Sequence, residues 1–300
     1  MTDKCFFTYA TGKKYLDLAF ALARSYKFHN NIAIPFYIAS KFDFDLPNDL
    51  AWVGKIIPPP EVSGNGLEFK LHLLEISPTP VSVFIDADTL IYDDISLLFD
   101  KFNPIMPNVI GLKITDGNWV DEDAAAACAE FGLKYMIRYC GALYYLVKNE
   151  TGYAVFNYAD SLYKSSRPFQ RNEHTMYDEP IMSIALSKFE ADPLPDDGNI
   201  WGDLVHFNDD TPLNVFKGPP MFNNSPGSYN FKFWLPAGEY QPMMLHVGSG
   251  NHNKNPWLFD DIRLKLHFKY HLSITIASLL VKLFVRPAYF FGRRLKRILK

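Results

Sequence analysis

Residues 81–90, VSVFIDADTL, carry the strongest structural signal in the chain. Its first half is rich in β-branched and aromatic residues, as in a buried strand, and two carboxylates one residue apart follow. Side chains two positions apart on a strand point the same way, so Asp86 and Asp88 can converge on one divalent cation at its carboxyl end. The same pattern also fits a turn whose acids are solvated or cap the next segment. Both interpretations stay open at this point.

Length and composition indicate a folded protein with one large α/β domain, or one domain with appendages. The 300 residues are 48% hydrophobic and 21% charged, which are ordinary values for globular proteins. The net charge of −3 is unevenly spread: residues 286–300 hold six basic side chains and no acid, and the other 285 residues have a balance of −9. The acidic body argues against nucleic acid as a partner, whereas the basic end favours an anionic surface.

Cysteine usage points to a reducing compartment. Cys5, Cys128 and Cys140 are odd in number and form no Cys-x-x-Cys pair, so neither a disulfide framework nor a zinc site is expected. The N-terminus enters a predicted strand within a few residues, without a charged segment followed by a long apolar one. We therefore expect a cytoplasmic location.

Alternating strand and helix patterns predict a mostly parallel central sheet flanked by helices. Residues 6–10 and 34–38 are predicted strands, and the segment between them has apolar residues at helical spacing, which implies a right-handed βαβ unit. Ligands of such sheets bind beyond the carboxyl ends of the strands, so residues 9–12 and 86–88 are expected to share one cleft. The further predicted elements are strands at 55–57, 109–114 and 140–147 and helices at 67–76, 121–131, 151–163 and 179–189.

Several motifs occur in the order found in one enzyme family. The runs KLHLL at 70–74, VFIDADTL at 83–90 and DISLLFD at 94–100 closely resemble glycogenin and its relatives, including lipopolysaccharide galactosyltransferases. These relatives are retaining, Mn²⁺-dependent glycosyltransferases with the GT-A fold. The resemblance continues with CGA at 140–142, YDE at 177–179, LHVG at 245–248 and NPW at 255–257. It implies an α/β, Rossmann-like GT-A domain at residues 1–260, followed by a helical, amphipathic basic tail at 261–300.

The resemblance also implies a site for a metal and a nucleotide sugar. Asp86, Asp88 and His246 would bind Mn²⁺ or Mg²⁺, and imidazole is an acceptable ligand for Mn²⁺ among oxygens. Three of the residues implied to contact the donor have an ordinary structural alternative. Tyr9 fits a core position equally well, and Lys70 and Lys254 fit a solvated surface. The alternative is stronger for Lys254, because Asn255 separates it from the proline that directly follows the lysine in relatives. The other residues implied to contact a UDP-sugar donor are Thr8, Tyr9, Ala10, Tyr15, Lys70, Ala87, Gly141, Gly248 and Lys254.

Two positions depart from the family pattern. Relatives read Asn-Ser-Gly where this chain has Tyr139-Cys140-Gly141, so the phenol of Tyr139 is expected to reshape the sugar pocket. Relatives read Asp-Gln at Asp178-Glu179, which makes these two the candidate catalytic residues. Glu179 could act as a nucleophile or stabilise an oxocarbenium-like transition state, or it could be an ordinary acid at a helix N-terminus.

The C-terminal tail suggests contact with a membrane surface. Residues 274–285 are apolar, but Lys282 interrupts them and Pro287 follows, so no uninterrupted span of the ~20 residues of a transmembrane helix is expected. Aromatic and aliphatic residues then alternate with six basic ones, as in interfacial helices on anionic lipid. A solvated terminal helix and a docking arm for a partner are the alternatives.

Taken together, these features predict a metal-dependent glycosyltransferase of polysaccharide biosynthesis. It would move a hexose from a UDP-sugar to a hydroxyl of a glycan or lipid-linked saccharide, with retention. One alternative is a sugar-1-phosphate nucleotidyltransferase, but residues 9–14 lack the Gly-rich loop of such enzymes. The other is a non-catalytic nucleotide-sugar-binding scaffold, against which the intact Asp86, Asp88 and His246 argue.

Overall fold

The structure is a computed structural model that describes residues 3–30, 33–63, 67–120, 122–165, 170–172, 175–176, 178–203, 213–227, 232, 234–248 and 257–298. The strands are β1 (Lys4–Ala10), β2 (Phe36–Ser40), β3 (Gly54–Ile56), β4 (Val81–Ile85), β5 (Thr89–Ile91), β6 (Ile110–Ile114), β7 (Asn118–Trp119), β8 (Glu122–Asp123), β9 (Met136–Tyr139), β10 (Leu143–Val147), β11 (Gln170–Asn172), β12 (Thr175–Met176), β13 (Leu194–Pro195), β14 (Trp201–Asp203), β15 (Phe222–Asn224), β16 (Gly238–Tyr240) and β17 (Met244–His246). The α-helices are α1 (Lys13–His29), α2 (Pro60–Ser63), α3 (Leu73–Ile76), α4 (Leu98–Lys101), α5 (Ala124–Phe131), α6 (Glu150–Tyr163), α7 (Asp178–Lys188), α8 (Trp257–Phe268), α9 (Ile274–Leu280) and α10 (Arg286–Ile298).

The central sheet has five strands in the order β10-β4-β1-β2-β3. Three of its four pairings are parallel, and only β10 runs antiparallel to its neighbour β4. Apolar clusters cover both faces of the sheet: Phe6 belongs to one cluster and the adjacent Phe7 to the other. Burial on both faces explains why these strands read as continuous apolar runs rather than as alternating patterns. The predicted mostly parallel α/β fold with flanking helices is confirmed.

Two predicted elements differ in the structure. The strand predicted at 140–147 begins only at Leu143, as β10, because residues 140–142 form the turn that joins β10 to β9. The segment predicted as a helix at 67–76 is a 3₁₀ helix over Glu68–His72 followed by the single α-helical turn of α3. Periodicity alone does not separate a strand from a turn lined by buried residues, so the break at residues 140–142 escaped prediction.

A second, three-stranded sheet joins distant parts of the chain, in the order β14-β17-β5. Its register pairs Thr89 with His246 and His246 with Asp203. The backbone N–H of Val247 also donates a hydrogen bond to the carbonyl of Asp88 over 3.0 Å. This small sheet therefore brings β14 and β17 to the segment that follows β4.

Helix α8 belongs to the body of the protein. Trp257 and Asp260 are buried, and the carboxylate of Asp260 accepts hydrogen bonds from the hydroxyl of Tyr92 at 2.9 Å and the N–H of Val215 at 3.0 Å. The predicted boundary between residues 260 and 261 falls inside this helix.

The C-terminal segment is one long helix, made of α9, a five-residue π-helical segment over Val281–Val285, and α10. The predicted helical tail is confirmed, and Lys282 and Pro287, which were expected to limit its apolar span, both lie within the helix. Pro287 has no backbone N–H, so it cannot donate the hydrogen bond of a regular α-helix. The π-helical segment just before it has a wider turn, which allows the helix to continue past the proline. The part from Ile274 to Gly292 is long and apolar enough to cross a membrane by length and composition, and 11% of it is buried.

Candidate active site

The sequence-predicted residues meet in a pocket of about 550 Å³ at the carboxyl ends of β1 and β4. Thr8 and Ala10 do not line it, because both are fully buried within β1. Lys254 lies outside the described residues. The predicted residues that do line the pocket are Tyr9, Tyr15, Lys70, Asp86, Ala87, Asp88, Gly141, Asp178, Glu179, His246 and Gly248.

Asp86, Asp88 and His246 form a compact trio. Their ligand atoms all lie within 4.8 Å of one another. The two carboxylates belong to a turn between β4 and β5, in which the N–H of Thr89 donates to the carbonyl of Asp86 over 3.2 Å. The turn, rather than the alternation of a continuous strand, therefore brings the two carboxylates together. His246 joins them because β17 pairs with β5 immediately after the turn.

Charge interactions hold the trio together. Burial raises the pKa of Asp86, although the ammonium of Lys70 opposes this shift. Burial also disfavours ionised Asp88, but the hydrogen bond with His246 and the positive charges of His246 and Lys70 together outweigh burial and lower the pKa of Asp88. The Nε2 of His246 lies 3.3 Å from a carboxylate oxygen of Asp88. Two adjacent carboxylates that depend on neighbouring cations are a typical environment for a divalent metal ion.

Asp203 orients the imidazole of His246, with its carboxylate oxygen 3.0 Å from Nδ1. Nε2 is thereby directed to Asp88, in the arrangement in which a metal-binding histidine donates its other nitrogen to a carboxylate. Cys140, Asp203 and His246 also cluster within 4.8 Å. Burial raises the pKa of the Cys140 thiol to about 11, so the thiolate that binds metals is disfavoured there. Sequence reasoning missed Asp203, since only the strand register places it beside His246.

Lys70 is a buried ion-pair centre rather than a solvated surface residue. Its ammonium donates hydrogen bonds to a carboxylate oxygen of Asp86 at 3.0 Å and to the carbonyl of Gly141 at 2.7 Å. It also lies 3.7 Å from the carboxylate of Asp178. Burial opposes the charge, yet Asp178 and Asp86 together raise the pKa of Lys70 above its ordinary value. Lys70 is therefore a permanent cation in the floor of the pocket.

Replacing Lys70 is expected to destabilise the fold. Lys70→Met removes the cation and leaves the carboxylates of Asp86 and Asp178 without their shared partner. Breaking a buried pair in this way costs about 3–5 kcal/mol in the free energy of unfolding, measurable by urea denaturation at pH 7.5. The exposed Lys41 provides a control, because Lys41→Met should change this free energy by about 0.5 kcal/mol or less. Equal effects of the two substitutions would contradict the ion-pair role of Lys70.

Glu179 is held against the backbone of Gly141. The N–H of Gly141 donates to a carboxylate oxygen of Glu179 over 2.9 Å. A Cβ on residue 141 would lie 2.8 Å from the carboxylate of Asp178 and 3.0 Å from the Cγ of Glu179, so this close approach requires glycine. Burial, assisted by the charge of Asp178, raises the pKa of Glu179 to about 7. A carboxyl group that titrates near neutrality in a pocket is a candidate functional group.

Comparison with known proteins supports the fold. No protein-family model and no curated protein matches the chain. The solved apo structure of WbbM, a bifunctional glycosyltransferase, is similar over 93% of this chain and 52% of its own, with 12% identity and a TM-score of 0.55. The galactosyltransferase LgtC, solved with donor and acceptor sugar analogs, is similar over 82% of this chain and 87% of its own, with 11% identity and a TM-score of 0.47. The chain has a GT-A glycosyltransferase fold. It spans about half the length of WbbM.

Within this GT-A fold, Tyr139 lies behind the pocket rather than in its wall. The Tyr139 and Tyr144 hydroxyl oxygens are 2.8 Å apart, and the Tyr144 hydroxyl donates to Asp178 over 2.8 Å. Tyr139 lines an adjoining cavity and is not among the residues of the trio's pocket. Its phenol therefore reaches the trio's pocket only through Tyr144 and Asp178, whereas it lines the adjoining cavity directly.

The tyrosines near the end of β1 differ in their surroundings. Tyr9 is buried and stacks on Phe69, with ring centroids 4.3 Å apart and planes 12° from parallel. One face of Tyr9 is thus already covered by protein. Tyr15, on α1, is only partly buried and lines the same pocket. Of the two rings, Tyr15 is the more accessible from the pocket.

Proposed function

We propose that the protein is a metal-dependent glycosyltransferase that moves a hexose from a UDP-sugar to a hydroxyl of a glycan or lipid-linked saccharide, with retention. The observation that carries this proposal is the meeting of the Asp86, Asp88 and His246 trio with Lys70 and Glu179 in one pocket of the GT-A fold. The glycosyltransferase WbbM, whose fold the chain shares, supports sugar transfer as the general reaction.

The trio fits a hard divalent cation such as Mn²⁺ or Mg²⁺. Asp86 and Asp88 offer oxygen ligands, and His246 offers Nε2 while its Nδ1 faces Asp203. When bound, such a cation would offset the negative charge that gathers on the diphosphate leaving group. In this proposal Asp203 acts on the imidazole ring alone, by keeping Nε2 turned to the carboxylates.

The other residues act on the donor in different ways. Lys70 contributes a fixed positive charge beside Asp86, so that charge developing on the leaving group meets a preorganised cation. Glu179 is the carboxylate that would face the anomeric carbon, either as a nucleophile or as a stabiliser of positive charge on the sugar ring. Asp178 contacts Tyr144 and Lys70, and these contacts hold the wall of the pocket beside Glu179 in place.

The direct test is a panel of nucleotide sugars. The purified protein is incubated with each UDP-, GDP- and ADP-sugar, with Mn²⁺, Mg²⁺ or EDTA, and release of the nucleotide is measured. We expect hydrolysis of a UDP-sugar that depends on the metal and stops with EDTA. Absence of both hydrolysis and binding for every nucleotide sugar would refute the proposal, and binding without hydrolysis would favour the scaffold alternative.

We further propose that the cytoplasmic protein attaches to anionic membrane surfaces through its C-terminal helix. Its apolar side chains are largely exposed, including Ile276, Leu279, Leu283, Phe284 and Phe291. Basic residues follow them on α10. An exposed apolar helix with basic side chains gains free energy both from burial in the lipid interface and from the negative surface potential.

Removal of residues 286–300 is expected to release the protein from vesicles that contain anionic lipid. Each basic residue contributes about 1 kcal/mol near such a surface, so loss of six should weaken binding by a factor of about 100 or more. Co-sedimentation with phosphatidylglycerol vesicles measures this, and neutral phosphatidylcholine vesicles are the control. Leu283→Ser with Phe284→Ser separates the apolar contribution from the charge. Unchanged co-sedimentation of the truncated protein would refute the attachment.

A further inference from the structure

A second cavity, of about 230 Å³, adjoins the pocket that holds the trio. The two share Cys140 and Glu179 as wall residues. A molecule in the second cavity would therefore lie beside the same carboxyl group that faces the first pocket. The question is which chemistry this cavity recognises.

The cavity has oppositely charged ends. At the end shared with the first pocket, Glu179 accepts a hydrogen bond from Gly141, and Asp203 faces the imidazole of His246. At the other end, two cations lie over the ring of Trp234. The guanidinium carbon of Arg138 is 4.8 Å from its centroid, and the Nζ of Lys232 is 5.6 Å from it. Among the described residues that line this end, the charged groups are these two cations and the carboxylate of Asp196.

Lys232 is the most informative residue at this end. Its side chain is 98% buried, yet no hydrogen bond of its ammonium occurs within the described part of the chain. The nearest carboxylate oxygen, of Asp196, is 3.8 Å away. The Asp196 carboxylate already accepts hydrogen bonds from the indole N–H of Trp234 at 2.9 Å and the N–H of Gly198 at 3.1 Å. A buried ammonium has three donors, and leaving them unbonded is costly unless a ligand or water accepts from them.

Two indole groups add further unused donors. The Nε1 atoms of Trp119 and Trp201 are buried and have no hydrogen-bond partner among the described residues, and both residues line the cavity. Indole rings also offer flat apolar faces of the kind that pack against a sugar ring. The cavity therefore combines aromatic faces, N–H donors and a buried ammonium, a set that matches an oxygen-rich and negatively charged ring.

We infer that this cavity binds the acceptor, and that the acceptor sugar carries an oxyanion, a carboxylate or a phosphate, which pairs with Lys232. The inference rests on the proposed function, because it assigns the acceptor side of the same transfer. The ring lies between the indoles, the oxyanion points to the Trp234 end, and the reacting hydroxyl is directed to the end at Glu179.

Calorimetric titration with small saccharides tests this inference without a donor. The probes are methyl glucoside, methyl glucuronide, glucose 6-phosphate and inorganic phosphate. We expect at least one anionic sugar to bind about tenfold or more tightly than methyl glucoside, since a charge-assisted hydrogen bond is roughly twice as strong as a neutral one. A preference for the glucuronide identifies a carboxylate, and one for the sugar phosphate over inorganic phosphate identifies a phosphorylated sugar.

Variants locate the binding. Lys232→Met should remove the preference for the anionic sugar, and Trp119→Phe, which keeps a ring but removes the N–H, should weaken binding of that sugar severalfold. Trp52→Phe is the matched control, because the Nε1 of Trp52 also lacks a partner in the described residues but lies against Tyr26 and Phe36, outside the cavity.

Equal affinity of the unmodified protein for neutral and anionic sugars would overturn the inference, as would a preference that survives in folded Lys232→Met. Neither outcome would contradict the proposed transfer reaction, because that reaction is tested separately, by metal-dependent hydrolysis of a UDP-sugar in the unmodified protein. Loss of that hydrolysis with intact sugar selectivity would, conversely, remove the proposed function and leave a saccharide-binding cavity.

Discussion

Asp88→Asn is expected to abolish metal-dependent hydrolysis of UDP-sugars, with a loss of about 1,000-fold or more in rate. Asp88 is one of only two carboxylates in the trio, and its oxygen is also the one that faces Nε2 of His246. An amide keeps the shape of the side chain but supplies neither the negative charge nor the second anionic oxygen. Mn²⁺ affinity, followed by electron paramagnetic resonance, should fall together with the rate.

The same substitution is expected to leave the fold intact. The charge of Asp88 raises the pKa of Asp86, so loss of the Asp88 charge relieves repulsion at Asp86. The exposed Asp45 is the matched control, because Asp45→Asn removes one carboxylate from the surface without touching the trio. Undiminished Mn²⁺-dependent hydrolysis in Asp88→Asn would rule out the metal assignment.

Glu179→Gln is expected to lower the rate of sugar transfer by about 100-fold or more if its carboxylate acts on the anomeric carbon. A loss of only a few-fold would reduce Glu179 to an ordinary acid at the start of α7. Glu150 is the matched control, since it stands in the first turn of α6 and is exposed. Glu150→Gln removes the same favourable interaction with a helix dipole and should leave the rate unchanged.

The same variant is expected to be more stable than the unmodified protein at high pH. Burial raises the pKa of Glu179 from 4.5 to about 7, so its contribution to stability is complete below pH 4.5 and is lost as pH rises through 7. Glutamine does not titrate. Between pH 4.5 and 8, the free energy of unfolding of Glu179→Gln should therefore rise by about 1–3 kcal/mol relative to that of the unmodified protein. Urea denaturation at the two pH values measures it, and a constant difference would contradict the raised pKa.

If Glu179→Gln lowers the rate of transfer but raises the free energy of unfolding at high pH, then Glu179 serves function at a cost in stability. A buried carboxyl group beside Asp178 is held ready to ionise because the surrounding fold tolerates it. The control Glu150 has no such environment, and its replacement should change neither rate nor pH dependence. This contrast separates the functional hypothesis for Glu179 from the helix-capping one.

Much of the fold was predictable from short-range pattern. The βαβ unit of β1, α1 and β2 follows from an apolar run in each strand and from period-3.6 spacing in the helix between them. The ordered motifs also led to Asp86, Asp88 and His246, and the structure brings these three residues together. Prediction failed where a pattern has two local solutions, as at residues 140–142, where a buried turn resembles a strand, and at residues 67–76, where a 3₁₀ helix precedes a short α-helix.

By itself, the sequence determined the α/β class, the strand that ends in two carboxylates, and the chemistry available to the site. Three features became visible only in the folded protein: Asp203 orients His246, Lys70 is a buried cation, and the ammonium of Lys232 lies in a second cavity with no hydrogen bond to any residue that the structure describes. The difference arises because the two kinds of feature depend on interactions over different distances along the chain. Periodicity is imposed by neighbours in the chain, whereas burial, pKa and ion pairing depend on the register of strands more than 40 residues apart, such as β14 and β17.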